Sequence, residues 1–136
     1  TGHGRFAEGL LEAAELILGK QTNIEAINFL KEESSVDLRD KIENAVNSMK
    51  GLEGIIFLTD LAGGTPFNTS VILSEEINSC KVLGGTNLPL LIEILMNREL
   101  GEITELIEAG LSVGKDAIVA FEKQESRMEK QKDRGI

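Results

Sequence analysis

A single histidine stands in the whole sequence, and glycines flank it on both sides: Gly2-His3-Gly4. Glycine takes backbone conformations closed to other residues and lets a ligand approach the chain closely. A helical pattern opens at Arg5, so His3 sits at the mouth of a helix, where unpaired N–H groups favour an anion such as phosphate. Two further turns carry the same signature. Asp60-Leu61-Ala62-Gly63-Gly64-Thr65-Pro66-Phe67-Asn68 follows one apolar run, and Gly84-Gly85-Thr86-Asn87 follows another. Asp60 at the end of a buried strand is placed to accept a hydrogen bond from one ring nitrogen of His3, leaving the other free as a nucleophile. Asp60 also reads as a turn-forming or capping aspartate, and Thr65 as the N-cap of the next helix as well as a hydroxyl for a phosphate. Taken alone, His3 is a surface histidine in a tight turn. Three glycine-rich turns before three helices make a stronger case, because consecutive N–H groups at helix starts form an anion cradle.

The elements that would hold these turns follow from hydrophobic spacing. Arg5 to Gly19 is an amphipathic helix with Phe6, Leu10, Ala13 and Ile17 on one face. Ile24 to Leu30 reads as a strand, and Leu38 to about Met49 as a helix with N-cap candidates at Ser34, Ser35 and Asp37. Gly54 to Thr59 is the clearest strand, since the run Ile55-Ile56-Phe57-Leu58 suits a parallel strand covered on both faces. Pro66 suits the first position of a helix running to about Ile77. Cys80 to Leu83 is a further short strand; helices follow from Leu88 to Gly101 and from Ile103 to Gly114. Ile118-Val119-Ala120-Phe121 fits either a helix extension or a late edge strand. Alternating strands and helices imply an α/β fold, doubly wound, with a mostly parallel sheet and helices on both faces. Such folds collect their ligand sites beyond the carboxyl ends of the strands, where all three turns land. The chain opens at Thr1 directly on its most informative loop, and the alternation asks for an apolar strand just upstream. Residues 1–122 are read as one domain and 123–136 as a charged tail.

Composition narrows the chemistry. The 136 residues carry a net charge of −9, with no basic stripe for a nucleic-acid backbone and neither Trp nor Tyr for base stacking. Cys80 is the only cysteine, which rules out a disulfide within the chain and points to a cytoplasmic setting. One His and one Cys far apart argue against a metal site, and no cofactor is expected. The P-loop and nucleophile-elbow motifs are absent. Gly2-His3-Gly4-Arg5-Phe6-Ala7 fits a relaxed dinucleotide fingerprint, yet the next strand ends Asn28-Phe29-Leu30 without the acidic residue that reading needs. A histidine phosphatase would need a second histidine. A lone histidine suits a carrier that takes a phosphoryl group and passes it on. A module that binds a small anion or nucleotide without covalent chemistry is the rival reading.

The motifs resemble those of the enzyme IIA component of the mannose/sorbose-type bacterial sugar phosphotransferase system. Gly2-His3-Gly4 with Phe6-Ala7-Glu8 is similar to the family's phosphohistidine loop. Asp60 to Asn68 resembles its second signature, and Gly85-Thr86-Asn87-Leu88-Pro89 its third. The resemblance spans Thr1 to Phe121 and implies a phosphotransferase carrier: His3 accepts the group from phospho-HPr and passes it to the IIB component, with membrane IIC and IID components beyond. It implies that Asp60 pairs with His3, and that Gly4, Gly63, Gly64 and Thr65 surround the phosphate. It also implies a homodimer formed partly by exchanging a final antiparallel strand, which favours strand for Ile118 to Phe121. Ala62 departs from the pattern, standing where relatives often carry a bulkier residue.

Overall fold

The computed structural model describes residues 1–49 and 51–124. Among these residues strands and helices alternate as far as α4, and a second helix follows: β1 (Gly2–His3), α1 (Phe6–Leu18), β2 (Asn28–Phe29), α2 (Ser35–Ser48), β3 (Ile55–Leu58), α3 (Thr65–Ser74), β4 (Cys80–Leu83), α4 (Leu88–Asn97) and α5 (Ile103–Asp116). The α/β class is as expected. β1 pairs in parallel with β2, setting His3 opposite Phe29, and β3 pairs in parallel with β4, setting Leu58 opposite Leu83. The two pairs meet at Thr1, whose amino group donates to the Leu58 carbonyl at 2.8 Å. β1 therefore lies beside β3.

The alternation of side chains along β3 organises the core. Ile55 and Phe57 pack with Leu38 and Ile42 of α2 and Leu73 of α3. Ile56 and Leu58 point the other way, toward Leu90 and Ile94 of α4 and Leu106 of α5. Leu58 also reaches a third cluster, in which Ala14 of α1 meets Leu91 and Leu95 of α4. A strand apolar on every residue thus has helices on both of its faces, the reason its run shows no polar alternation. Gly110 and Gly114 let α5 approach α4 closely: a Cβ at either would lie 3.0 Å from Ile94 or Leu90.

Local signals explain most boundaries. Ser34 caps α2 through a full capping box: its hydroxyl accepts the Asp37 N–H, and Asp37 accepts the Ser34 N–H. The helix starts at Ser35, earlier than apolar spacing alone suggests. Asn87 caps α4 by accepting the Leu90 N–H, and its amide donates to the Gly114 carbonyl of α5 at 2.8 Å. The start of α3 differs from expectation. Gly64 is the N-cap, Thr65 is the first helical residue, and no side-chain cap bond is made. Gly64 already has the extended backbone an N-cap needs, at φ −74° and ψ 169°, which leaves the Thr65 hydroxyl uncommitted as a cap. α3 also stops at Ser74, and Glu75, Glu76 and Ile77 continue in tighter i→i−3 bonds.

Two expected strands come out differently. Ile24 to Leu30 contributes only Asn28–Phe29, because β1 offers only Gly2 and His3 to pair with; upstream, Ile27 is tied by a long 3.4 Å bond from the Gly2 N–H. Ile118 to Phe121 is neither strand nor helix in the single chain: α5 runs to Asp116 and ends on Ala117. Ile118, Val119 and Phe121 lie 78%, 81% and 92% exposed, which leaves them free to find a partner outside the chain. Of the charged tail, all but 123–124 lies outside the described residues. Behind β1 a groove of about 800 Å³ runs between Ile24–Ile27 and Ile55–Leu58, walled by Leu10, Leu91 and Leu95.

Candidate functional site

The geometry is set by one carboxylate oxygen. Asp60 follows β3 and turns its side chain toward β1, where Oδ2 accepts the His3 backbone N–H and the His3 Nδ1, each at 2.8 Å. The backbone bond fixes where His3 sits, and the ring bond fixes how the imidazole is turned. With Nδ1–H donating to Asp60, Nε2 keeps its lone pair. The Asp60 side chain is 15% exposed and that of His3 48%, so the orienting group is sheltered while the ring faces solvent. Gly2 makes this approach feasible: a Cβ there would stand 2.6 Å from the Phe6 ring and 3.0 Å from the Asp60 carboxyl carbon.

The free edge of the ring faces the start of α3. A Cβ on Gly64 would lie 3.0 Å from His3 Cε1 and 3.7 Å from Nε2. Only a glycine lets Nε2 look onto this helix N-terminus, where partial positive charge gathers. The expected phosphate-binding residues divide by what their N–H groups already do. The Gly4 N–H donates to the Phe29 carbonyl at 2.7 Å, and the Gly64 N–H to the Leu61 carbonyl at 3.1 Å. Gly63 and Thr65 N–H groups make no backbone bond among the described residues, and the Thr65 hydroxyl makes no hydrogen bond there either. Asn68 steadies the turn by donating to the Gly63 carbonyl at 3.0 Å.

Several neighbours complete the site. Arg5 pairs with Glu8 at 2.7 Å, and Glu8 accepts from the Asn28 amide at 3.1 Å, so Arg5 is committed on the surface beside His3 and not aimed at the ring. Leu90 of α4 is core at 3% exposed and is no part of the surface here. Leu61 is instead the exposed apolar side chain next to Asp60, at 59%. Phe29 meets the His3 ring edge-on, with centroids 5.8 Å apart and planes at 65°. Periodicity marked Phe29 only as strand; its place opposite His3 needs the β1–β2 register. Ala62 sits under the third turn, where a Cβ on Gly84 would be 2.7 Å from the Ala62 side chain.

The comparisons with known proteins agree with one another. A family model described as "PTS system fructose IIA component" matches residues 1–111, most of the chain. The chain belongs to this family of IIA components. Among relatives of this IIA chain, the "PTS system fructose-specific EIIA component" of Bacillus subtilis (strain 168) is 33% identical over 107 residues, covering 79% of this chain and 73% of its own. The "PTS system mannose-specific EIIAB component" of Escherichia coli (strain K12) is 32% identical over 120 residues, 88% of this chain. The IIA chain spans only 37% of that relative's length. A crystal structure described as phosphotransferase system component EIIA from Streptococcus agalactiae superposes with a TM-score of 0.81 at 38% identity, covering 88% of this chain and 92% of that one. The mannose-type resemblance seen in the motifs is thereby shown for the family. No helix among the described residues is long and apolar enough to cross a membrane.

The pairing gives the protein a pH signature. Burial works to raise the Asp60 carboxyl, but the backbone and ring bonds from His3 outweigh it and hold the group below its ordinary 3.8. A depressed folded value stabilises the fold above 3.8, and this contribution is lost as pH falls through the lower folded value. Urea denaturation of the wild type across about pH 6 to about pH 2 should show this loss as part of the acid limb. Asp60→Asn, which does not titrate, should give a shallower limb; identical limbs would mean that the carboxylate contributes no linkage.

Proposed function

We propose that the chain is a cytoplasmic phosphoryl carrier of a sugar phosphotransferase system, taking phosphate from phospho-HPr on His3 and giving it to a IIB component. The observation that carries the reading is the His3–Asp60 pair: Nδ1 is held at 2.8 Å by a sheltered carboxylate, and the opposite ring edge faces the start of α3. The names of the relatives support it, since they are components of the same transport system. Membrane IIC and IID components would use the phosphate farther along, out of direct contact.

The chemistry follows from the residues. The Nε2 lone pair of His3 attacks phosphorus in line with the bond that holds the group to the donor. That bond breaks, its electron pair leaves with the donor's phosphate-bearing group, and a new N–P bond forms on His3. Positive charge grows on the His3 ring as it does so, and the carboxylate already bound to Nδ1 stabilises it. Phosphoryl transfer asks mainly for alignment and charge stabilisation. Gly63 N–H, Thr65 N–H and the Thr65 hydroxyl supply donors at the helix start; Gly4 and Gly64 contribute shape at the ring and N–H groups only if their present bonds are exchanged. Transfer to IIB is the same step with the roles of donor and acceptor reversed.

Incubation with phospho-HPr should yield an acid-labile, base-stable phosphoprotein one phosphoryl group heavier. His3→Ala should gain no mass. Labelling of that variant would overturn the assignment of His3, and an unlabelled wild type that binds a nucleotide would favour the non-covalent module.

Two features of the fold belong to the same reading. The groove between Ile24–Ile27 and Ile55–Leu58 is lined by the segment leading into β2, by β3 and by apolar helix faces, and we propose that it receives an apolar strand leading into Thr1. This strand would join the two parallel pairs into one doubly wound sheet. Extending the chain upstream by about five β-branched apolar residues should raise its thermal midpoint, while a polar extension of equal length should not; equal midpoints would count against the strand. The exposed run Ile118 to Phe121 is the proposed exchanged strand of a homodimer. Truncation after Ala117 should turn a dimer into a monomer in sedimentation equilibrium, and an unchanged mass would exclude this route to a dimer.

A further inference from the structure

The His3 ring is held from two directions, and only one of them is polar. Asp60 binds Nδ1, which sets one point of the ring. A single hydrogen bond leaves an imidazole free to tilt about it, and with 48% of the side chain exposed, solvent supplies no second restraint. The second contact is Phe29. It stands directly opposite His3 in the β1–β2 register, and its ring meets the imidazole edge-on at 5.8 Å between centroids. Aromatic pairs prefer this edge-to-face arrangement, and the preference is directional. The Phe29 carbonyl also accepts the Gly4 N–H at 2.7 Å, which fixes the loop on the far side of His3 at a point where Gly4 turns through φ +57°.

Phe29 is itself anchored. Its side chain packs against the cluster of Leu38, Ile42, Phe57 and Leu73, so the ring that touches His3 is continuous with the core between α2 and α3. Gly64 bounds the ring at its outer edge, where a Cβ would lie 3.0 Å from Cε1 and 3.7 Å from Nε2. The imidazole is therefore bounded by a carboxylate at Nδ1, a core-anchored aromatic edge and the bare start of α3.

We propose that Phe29 is a positioning residue for phosphoryl transfer, holding the His3 ring in the one orientation that keeps Nδ1 on Asp60 and presents Nε2 to the donor. The inference rests on the carrier reading above. Removing the ring while keeping an apolar side chain, as in Phe29→Leu, lets the imidazole tilt and turn about Cβ–Cγ, which swings Nδ1 off Asp60 and frees the ring to exchange tautomers. Misplacement of a reacting atom by about 1 Å costs up to about a hundred-fold in rate.

The test has one arm that needs no phosphate donor. Imidazole nitrogen NMR of the unphosphorylated wild type should show a single tautomer, protonated at Nδ1. F29L should show a mixture, and F29Y, which keeps the ring, should restore the single tautomer. With phospho-HPr, F29L should be phosphorylated at least about ten-fold more slowly and should carry a measurable share of its phosphate on Nδ1, while F29Y should behave as wild type. F29L with the wild-type tautomer, rate and phosphate position would overturn the inference. A wild type that shows the single tautomer yet takes no phosphate would overturn the carrier reading and leave the ring-positioning result standing. Should F29L unfold, F29M gives the same comparison with nearly the same volume.

Discussion

The Asp60 carboxylate stands where a backbone carbonyl would be expected. In a parallel ladder, bonds from one strand recur at alternate residues. Thr1 donates to the Leu58 carbonyl, so the next rung would run from the His3 N–H to the carbonyl of residue 60. It runs to the Asp60 side chain instead. The sheet thus ends on a charged oxygen with capacity left for a second donor, and the imidazole of the same His3 takes it. Fold and site share one atom. Close contact at Gly2, the direction of the ring and the exposure of Nε2 all depend on it.

Most of this was legible in residue types and spacing. His3 stood alone, Asp60 ended the most apolar run, and each glycine-rich turn preceded a helix, which is enough to bring them to one edge of an α/β sheet. What spacing could not give was the bond count of individual groups. Thr65 looks like an N-cap by type, but Gly64 adopts the cap conformation and moves Thr65 into the helix. Gly4 and Gly64 look alike as phosphate donors by type, yet both N–H groups are bonded to carbonyls, which only turn geometry decides. Phe29 was invisible as a site residue because its role depends on register between strands, a long-range property no local pattern encodes. The shortness of β2 has the same origin, since strand length is a property of pairs.

The charge of the chain bears on how the site meets an anion. With a net charge of −9, the far field does not draw phosphate in. On the proposed carrier reading the attraction is short-ranged and built from dipoles at the start of α3, because Arg5, the cation beside His3 in the chain, is already paired with Glu8. Such a site discriminates by contact and not by capture at a distance. That suits a group delivered on another protein, with exposed Leu61 beside Asp60 as part of the surface the partner would meet.

The contact between Gly84 and Ala62 carries a consequence for how this protein can vary. The second and third turns approach within the width of one methyl group: a Cβ on Gly84 would overlap both the Ala62 side chain and its backbone, at 2.7 to 2.8 Å. Neither loop therefore has a shape of its own that could be exchanged independently. A side chain at Gly84 demands a different second turn, since the overlap includes the Ala62 backbone. The two turns form one packing unit in this chain. Chimeras between IIA chains should be joined so that both turns come from the same parent.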